Sequence, residues 1–360
     1  MVSWQPLQAG DPRECGGFHL THRLGQGGFG TVFLGFRPDL PDPAAVKIFT
    51  SQYAGSPQWR KRFLREIEMI KTMAGLHTAA LLDSGGHDEQ PWLATRYVHA
   101  PPLHTLVHQY GAFDVLPAWW LATGLGEALA EIHAKGILHR DLKPQNILVE
   151  GSGIKVIDFG ISRFSEGGGI TVDPSFFGSS EYCANEHLLD PRKATEKSDV
   201  FALGAVLVWV TTGRTPFDGV MPHDRLAGFP PNLDLVPESL YDLVESCLAA
   251  DPANRPTALT VFRTALDHLT DFAVPLASEA GLPLPPEIRD FVDAWAAEPV
   301  PVPTFVLVST GGSGVGAAAY EPHRGTGGGD GASAAGRDFS TGWVARWRDV
   351  VDRRRDSYGQ

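Results

Sequence analysis

Apolar positions in the first part of the chain alternate rather than recur every third or fourth residue. FHLTHRL at 18–24, TVFLGF at 31–36 and AAVKIF at 44–49 surround a glycine cluster, GQGGFG at 25–30. The pattern predicts two strands joined by a glycine loop, then a third strand. The period then changes. Phe63, Ile67, Ile70 and Met73 fall at helical spacings within a helix expected over 57–74. Strand-like runs return near 79–83 and 91–98, followed by a helical pattern at 116–135 and a loop-and-strand region at 136–160. Long helical stretches follow at about 197–212, 236–249 and 257–271. Within the first of these, VFALGAVLVWV at 200–210 is apolar on every side. It is far short of the ~20 residues that span a bilayer, so it reads as a helix buried in a core. A strand-rich front and a helix-rich middle predict an α+β fold with two lobes.

Beyond about 273 the pattern weakens. Ile288, Phe291, Val292 and Trp295 mark one helical face within a helical extension at 273–298. A glycine- and proline-rich linker is expected at 299–338, in which FVLV at 305–308 could form a short strand. An amphipathic helix is expected within 339–360, with Trp343, Trp347, Val350 and Val351 on one face and arginines elsewhere. The division is therefore an N-terminal extension at 1–17, a main unit at 18–272 with lobes meeting near 98–99, and these three C-terminal segments.

Composition narrows the function. Among 360 residues, 30 Lys and Arg stand against 42 Asp and Glu, a formal net charge of -12. That argues against a general nucleic-acid binder. Three cysteines, at 15, 183 and 247, make no disulfide framework or zinc knuckle and point to a reducing, cytoplasmic setting. The first residues have no apolar core of signal-peptide length. The arginines of 339–355 would allow contact with an anionic membrane, but Asp349 and Asp352 dilute their charge, and docking on the main unit is the favoured reading.

Gly25, Gln26, Gly27, Gly28, Phe29 and Gly30 form a GxGxxG followed by Val32. A dinucleotide fold would continue into a helix and carry an acid about 20 residues on. Here a strand follows, and Lys47 stands in a further strand, Ala45-Val46-Lys47-Ile48. Backbone N–H groups of a glycine hairpin approach polyphosphate closely, and a strand-borne lysine adds a point charge. Glu66, on the helix RFLREIEMI, is the natural carboxylate to hold that lysine, with Glu68 as the alternative.

His139-Arg140-Asp141-Leu142-Lys143-Pro144-Gln145-Asn146 carries the most information. It precedes the strand Ile147-Leu148-Val149, and Asp158-Phe159-Gly160 ends the next one. Asn146 and Asp158 are hard oxygen ligands suited to Mg²⁺, with Mn²⁺ as a substitute. Asp141 can accept a hydroxyl proton and Lys143 can sit near a transferring phosphoryl group.

These motifs together resemble the eukaryotic-type (Hanks-type) protein kinases over about Phe18 to Leu269. LKPQN resembles the Ser/Thr class, and the opening PLQAGDPRECGGFHLTHRLGQGGFGTVFLG resembles Ser/Thr kinases of high-GC Gram-positive bacteria. The resemblance implies a small β-rich lobe at 18–98 and a larger helical lobe at 99–272, using ATP and Mg²⁺ on Ser or Thr hydroxyls of protein substrates. It implies that Val32, Ala45 and Leu148 enclose adenine, that Thr95 is the gatekeeper, and that Arg96, Tyr97 and Val98 form the hinge. It implies that Asp199 anchors the catalytic loop and that Arg140 receives a phosphorylated activation loop, Thr171 and Ser175 being the expected sites. The chain departs from the family where Ala-Pro-Glu is usual: Asn185 replaces proline, while Glu186 remains and could pair with Arg255. Ser179 stands for the usual substrate-side threonine. A catalytically dead scaffold would lack Lys47, Asp141 or Asp158, and all three are present.

Overall fold

The computed structural model describes residues 4–28, 30–50, 57–71, 77–86, 90–158, 181–271 and 282–303. The alternating segments at the front form one sheet. Short strands β1 (Gln5–Pro6) and β2 (Glu14–Cys15) precede β3 (Phe18–Gly27), β4 (Gly30–Phe36) and β5 (Ala44–Phe49). Helix α1 (Pro57–Lys71) follows, then β6 (Leu81–Gly85) and β7 (Trp92–Arg96). The order is β1-β3-β4-β5-β7-β6, with β2 also on β3, and all pairings are antiparallel. The alternation in sequence is the alternation of faces. Phe18, Leu20, Phe33, Val46, Trp92 and Ala94 pack together, while Phe49 and Leu93 meet Phe63, Ile67 and Ile70 of α1.

The segment before Phe18, read from sequence as an extension, is joined to this sheet. β1 and β2 pair with β3, and Arg23 donates two hydrogen bonds to the Asp11 carboxylate, at 2.5 and 2.7 Å.

The second lobe is helical. It contains α2 (Leu103–Tyr110), α3 (Val115–Ala134), the ribbon of β8 (Ile147–Glu150) and β9 (Gly153–Val156), α4 (Asn185–Leu189) and α5 (Glu196–Thr212). Then come α6 (Pro222–Leu226), α7 (Glu238–Cys247), α8 (Ala258–Asp271) and α9 (Pro286–Ala297). The apolar run 200–210 lies in α5, which is buried nearly all round at the centre of the lobe. A Thr195–Ser198 capping box starts α5, and Gly213, in the left-handed region at φ 71°, ends it. α8 lies along α3 where Gly126 leaves room: a Cβ there would stand 2.7 Å from the Phe262 nitrogen. α2 was not expected, although Leu103, Leu106 and Val107 carry helical spacing; eight residues are too few for a periodic pattern to stand out.

The lobes are joined behind the ribbon. The Val156 amide donates to the His77 carbonyl at 2.7 Å, and the His77 ring lies between the Ile154 carbonyl and Glu127. α9 packs Ile288 and Val292 into the large-lobe core and sets Phe291 edge-on to Tyr110. No helix among the described residues is long and apolar enough to cross a membrane. The expected activation-loop sites Thr171 and Ser175, Ser179, the strand at 305–308 and the helix at 339–355 lie outside the described residues.

Candidate active site

The glycine loop is the turn from β3 to β4, in register Gly25↔Val32, Gln26↔Thr31 and Gly27↔Gly30. Its glycines answer to two different constraints. At Gly30, φ is 154° and a Cβ would strike the Ile48 carbonyl at 2.1 Å, so the sheet itself demands glycine. At Gly25 and Gly27 a Cβ would meet nothing within 4 Å, so the space beside them is open. Gln26 is exposed and accepts a hydrogen bond from Arg23. Gly28 is exposed, and Phe29 is outside the described residues.

Lys47 lies mid-sheet, opposite Val32 on β4 and Leu93 on β7. Its Nζ stands 3.2 Å from Asp158 Oδ1. Glu66, expected to hold this lysine, lies on α1, and only its backbone is described. Val32, Ala45 and Leu148 come from β4, β5 and β8. Thr95 and Arg96 end β7, and the chain then passes through Tyr97 and Val98 into the second lobe. The Tyr97 amide donates to the Pro43 carbonyl, and the Ala100 amide to the Val98 carbonyl.

The loop 139–146 holds the densest polar network. Lys143 Nζ donates to Asp141 Oδ2 at 2.9 Å. Asn146 Nδ2 donates to the Asp141 carbonyl at 2.8 Å and to its Oδ2 at 3.2 Å. Asn146 therefore keeps its Oδ1 as an acceptor, beside the Asp141 carboxylate. The Ile157 amide donates to the Asn146 carbonyl, which brings Asp158 to the same end of the ribbon as Asn146. The expected site residues thus form two joined groups, Lys47 with Asp158 and Asp141 with Lys143 and Asn146.

Behind the loop lies a buried support. The Asp199 carboxylate accepts from the backbone amides of His139 and Arg140, each at 2.8 Å, and from His133 Nε2 at 2.9 Å. Burial pushes the Asp199 carboxyl up, but the His133 bond, the nearby imidazoles and the Arg140 amide outweigh it and leave it below its ordinary value. The role that the family resemblance implied for Asp199 has this contact set behind it; His133, its side-chain partner, was not anticipated. His139 is fully buried. Its Nδ1 accepts from the Asp141 amide at 3.3 Å, and its Nε2–H donates to the Ile157 carbonyl at 3.1 Å. These partners select the neutral Nε2–H tautomer, and burial pulls the ring's pKa below the ordinary value.

The segment after the loop is held from below. Arg255 is buried and donates to both Glu186 oxygens, at 2.7 and 3.1 Å, while Ser198 Oγ donates to Glu186 Oε1. Arg225, which no sequence signal marked, is also buried. It donates to the Cys183 carbonyl and stacks over the Phe217 ring at 4.1 Å; burial lowers its pKa to about 10. A five-residue helix carrying one arginine reads as surface in sequence, because arginine is seldom buried.

The family described as "Protein kinase domain" matches residues 18–268 of this chain. The chain is 38% identical over 271 residues to the probable serine/threonine-protein kinase PkwA of Thermomonospora curvata, covering 74% of this chain and 36% of that protein. It is 38% identical over 262 residues to the serine/threonine-protein kinase AfsK of Streptomyces coelicolor, covering 72% and 33%. It thus spans about a third of the length of these relatives. Among solved structures, a kinase domain of Mycobacterium tuberculosis PknI aligns with a TM-score of 0.58 at 24% identity, over 75% of this chain and all of that one, which is a likeness of fold. The chain belongs to the protein kinase family, and its fold is the two-lobed α+β fold expected from sequence.

Proposed function

We propose that this member of the kinase family transfers the γ-phosphoryl group of ATP to Ser or Thr hydroxyls of protein substrates in the cytoplasm. The observation that carries the reading is the convergence of Asp141, Lys143 and Asn146 with the Lys47–Asp158 pair. The residues present fit the cosubstrate and the metal. Open space beside Gly25 and Gly27 suits a polyphosphate, and the Asn146 Oδ1 and Asp158 carboxylate are hard donors for Mg²⁺. When bound, Mg²⁺ neutralises phosphate charge.

The chain's own groups do the rest. Asp141 accepts the hydroxyl proton as the bond from that oxygen to the γ-phosphorus forms and the bond to the leaving ADP oxygen breaks. Lys143 holds the Asp141 carboxylate in place and places a positive charge beside the transferred group. Lys47 pairs with the phosphates, and Glu66 is the proposed partner that holds it. Val32, Ala45 and Leu148 enclose the base, Thr95 is the gatekeeper, and the hinge residues Arg96, Tyr97 and Val98 offer the base backbone hydrogen bonds. Autophosphorylation of Thr171 or Ser175 would place a phosphate charge of about -1.5 to -2 where Arg140 can meet it. The helix at 339–360, carried by the linker at 299–338, is proposed to dock on the kinase unit.

Purified protein with ATP, Mg²⁺ and a generic basic protein tests the reading. Phosphate incorporation should be lost in Asp141→Asn; equal labelling in both proteins would overturn it.

A further inference from the structure

Residues that precede the matched family segment reach the hinge. The Trp4 indole lies among three rings: His22 of β3, edge-on with centroids 5.9 Å apart, Tyr97 at 6.0 Å and His99 at 5.8 Å. Tyr97 and His99 stack on each other at 5.8 Å. They flank Val98, so the cluster grips the hinge on both sides of one of the residues proposed to meet the base. Among the described residues, His22 Nδ1 and His99 Nε2 are buried without a hydrogen-bond partner. Burial holds both imidazoles below their ordinary pKa, so they pack as neutral aromatic rings.

Trp4 is itself fixed from the sheet. β1 begins at the next residue and pairs Gln5 with Arg23 and Pro6 with His22. Downstream, the Arg23–Asp11 pair and the Leu20 amide bond to the Arg13 carbonyl hold the segment against β3. A residue just after α9 acts at the same place. Glu298, just past α9, acts electrostatically on both Tyr97 and His99. The hinge is therefore in ring contact with Trp4 and within electrostatic reach of Glu298, both outside residues 18–268.

We propose that Trp4 is a positioning residue for nucleotide binding: its indole sets the hinge at Tyr97–His99 and couples it to β3, so the segment ahead of the kinase family match is part of the nucleotide site. The proposal rests on the kinase reading above. A tilted or edge-on aromatic pair contributes modestly, so loss of the indole should raise the KM for ATP about two- to tenfold. The kcat should stay within about twofold, because Asp199 holds the loop at His139 and Arg140, while Asn146 and Lys143 bond to Asp141.

Three proteins of full length decide it: wild type, Trp4→Leu and Trp4→Phe, each assayed for KM and kcat and for equilibrium binding of a fluorescent ATP analogue. Trp4→Leu should weaken binding and raise KM together, and Trp4→Phe should restore most of both. An unchanged KM and analogue affinity in Trp4→Leu would overturn the proposal, as would a fall in kcat with KM unchanged. A second measurement serves if Trp4→Leu does not fold. In 5-fluorotryptophan-labelled Asp141→Asn, the Trp4 resonance, assigned through Trp4→Phe, should shift on addition of ATP and Mg²⁺; a resonance that stays in place while ATP binds refutes the coupling. If wild type itself neither binds the analogue nor transfers phosphate, the kinase reading fails rather than this one.

Discussion

Arg140 and Asp158 are the two non-glycine residues with positive φ among those described, at 63° and 59°, and both stand in the candidate site. Backbone held in this region costs on the order of 1–3 kcal/mol per residue and persists only where surroundings hold it. For Arg140 the holder is visible: Asp199 accepts from its amide and from that of His139. His139 supplies the other support, and it does so only as the neutral tautomer. Protonation at Nδ1 would turn an acceptor of the Asp141 amide into a donor facing it.

Because the folded pKa of His139 lies below the ordinary 6.5, the unfolded chain binds the proton first as pH falls. Stability is therefore full above 6.5 and declines as pH drops below it, with His22, His99 and His104 acting in the same direction. Calorimetric Tm values across that range should fall, and less steeply in His139→Phe. Parallel slopes for the two proteins would remove His139 from this account. The depressed carboxyls of Asp199 and Glu186 add a second loss at lower pH: their stabilisation is present above their ordinary values of 3.8 and 4.5 and disappears as pH falls through the folded values.

At the scale of elements, the informative contrast is between α1 and α6. The apolar spacing of Phe63, Ile67 and Ile70 predicts both the existence of α1 and the face it buries. α6 has five residues, no such spacing, and one buried arginine. Its importance arises from contacts 42 residues away in sequence, where Arg225 meets the Cys183 carbonyl beside Glu186. The same guanidinium sits over Phe217, while Arg255 and Arg225 both lie over Phe201, so the substrate-side segment rests on a layered stack of rings and cations. Replacing Arg225 by Met should raise the KM for a peptide substrate several-fold while leaving the KM for ATP within about twofold. Arg225→Lys should not rescue, because an ammonium lacks the flat face that stacks on Phe217. Peptide and ATP titrations of the three proteins check this, and equal shifts in both KM values would argue for general destabilisation instead.

For the whole molecule, the question is how much chain the catalytic unit requires. The family match ends at 268, yet α9 buries Ile288 and Val292 in the large-lobe core, with Leu282 and Leu284 beside them. Full burial of each aliphatic side chain is worth about 1.5–3 kcal/mol, so a chain ending at 281 should lose several kcal/mol and unfold at a distinctly lower temperature. A chain ending at 303 keeps α9 and should unfold at a distinctly higher temperature than the chain ending at 281. Thermal unfolding of the two truncations separates the cases, and equal Tm values for both would show that α9 contributes little.

Much of the candidate site was legible because the residues of the proposed phosphoryl transfer fall in short, ordered motifs. Asp141, Lys143 and Asn146 sit within six positions, Lys47 within one strand, and Asp158 at the end of another. The fold class followed from local periodicity, since a half-buried strand and a half-buried helix each repeat their apolar face in sequence. What only the tertiary structure decided is who supports whom. His133 on Asp199, Arg225 on Cys183, His77 on Glu127 and Trp4 on Tyr97 join residues 66, 42, 50 and 93 positions apart. Such pairs leave no periodic trace, because a single buried contact between distant elements is set by how those elements pack. The sequence by itself therefore determined the lobes and nominated the candidate reacting groups; packing decided the buried carboxylate, the stacked arginines and the ring cluster around them.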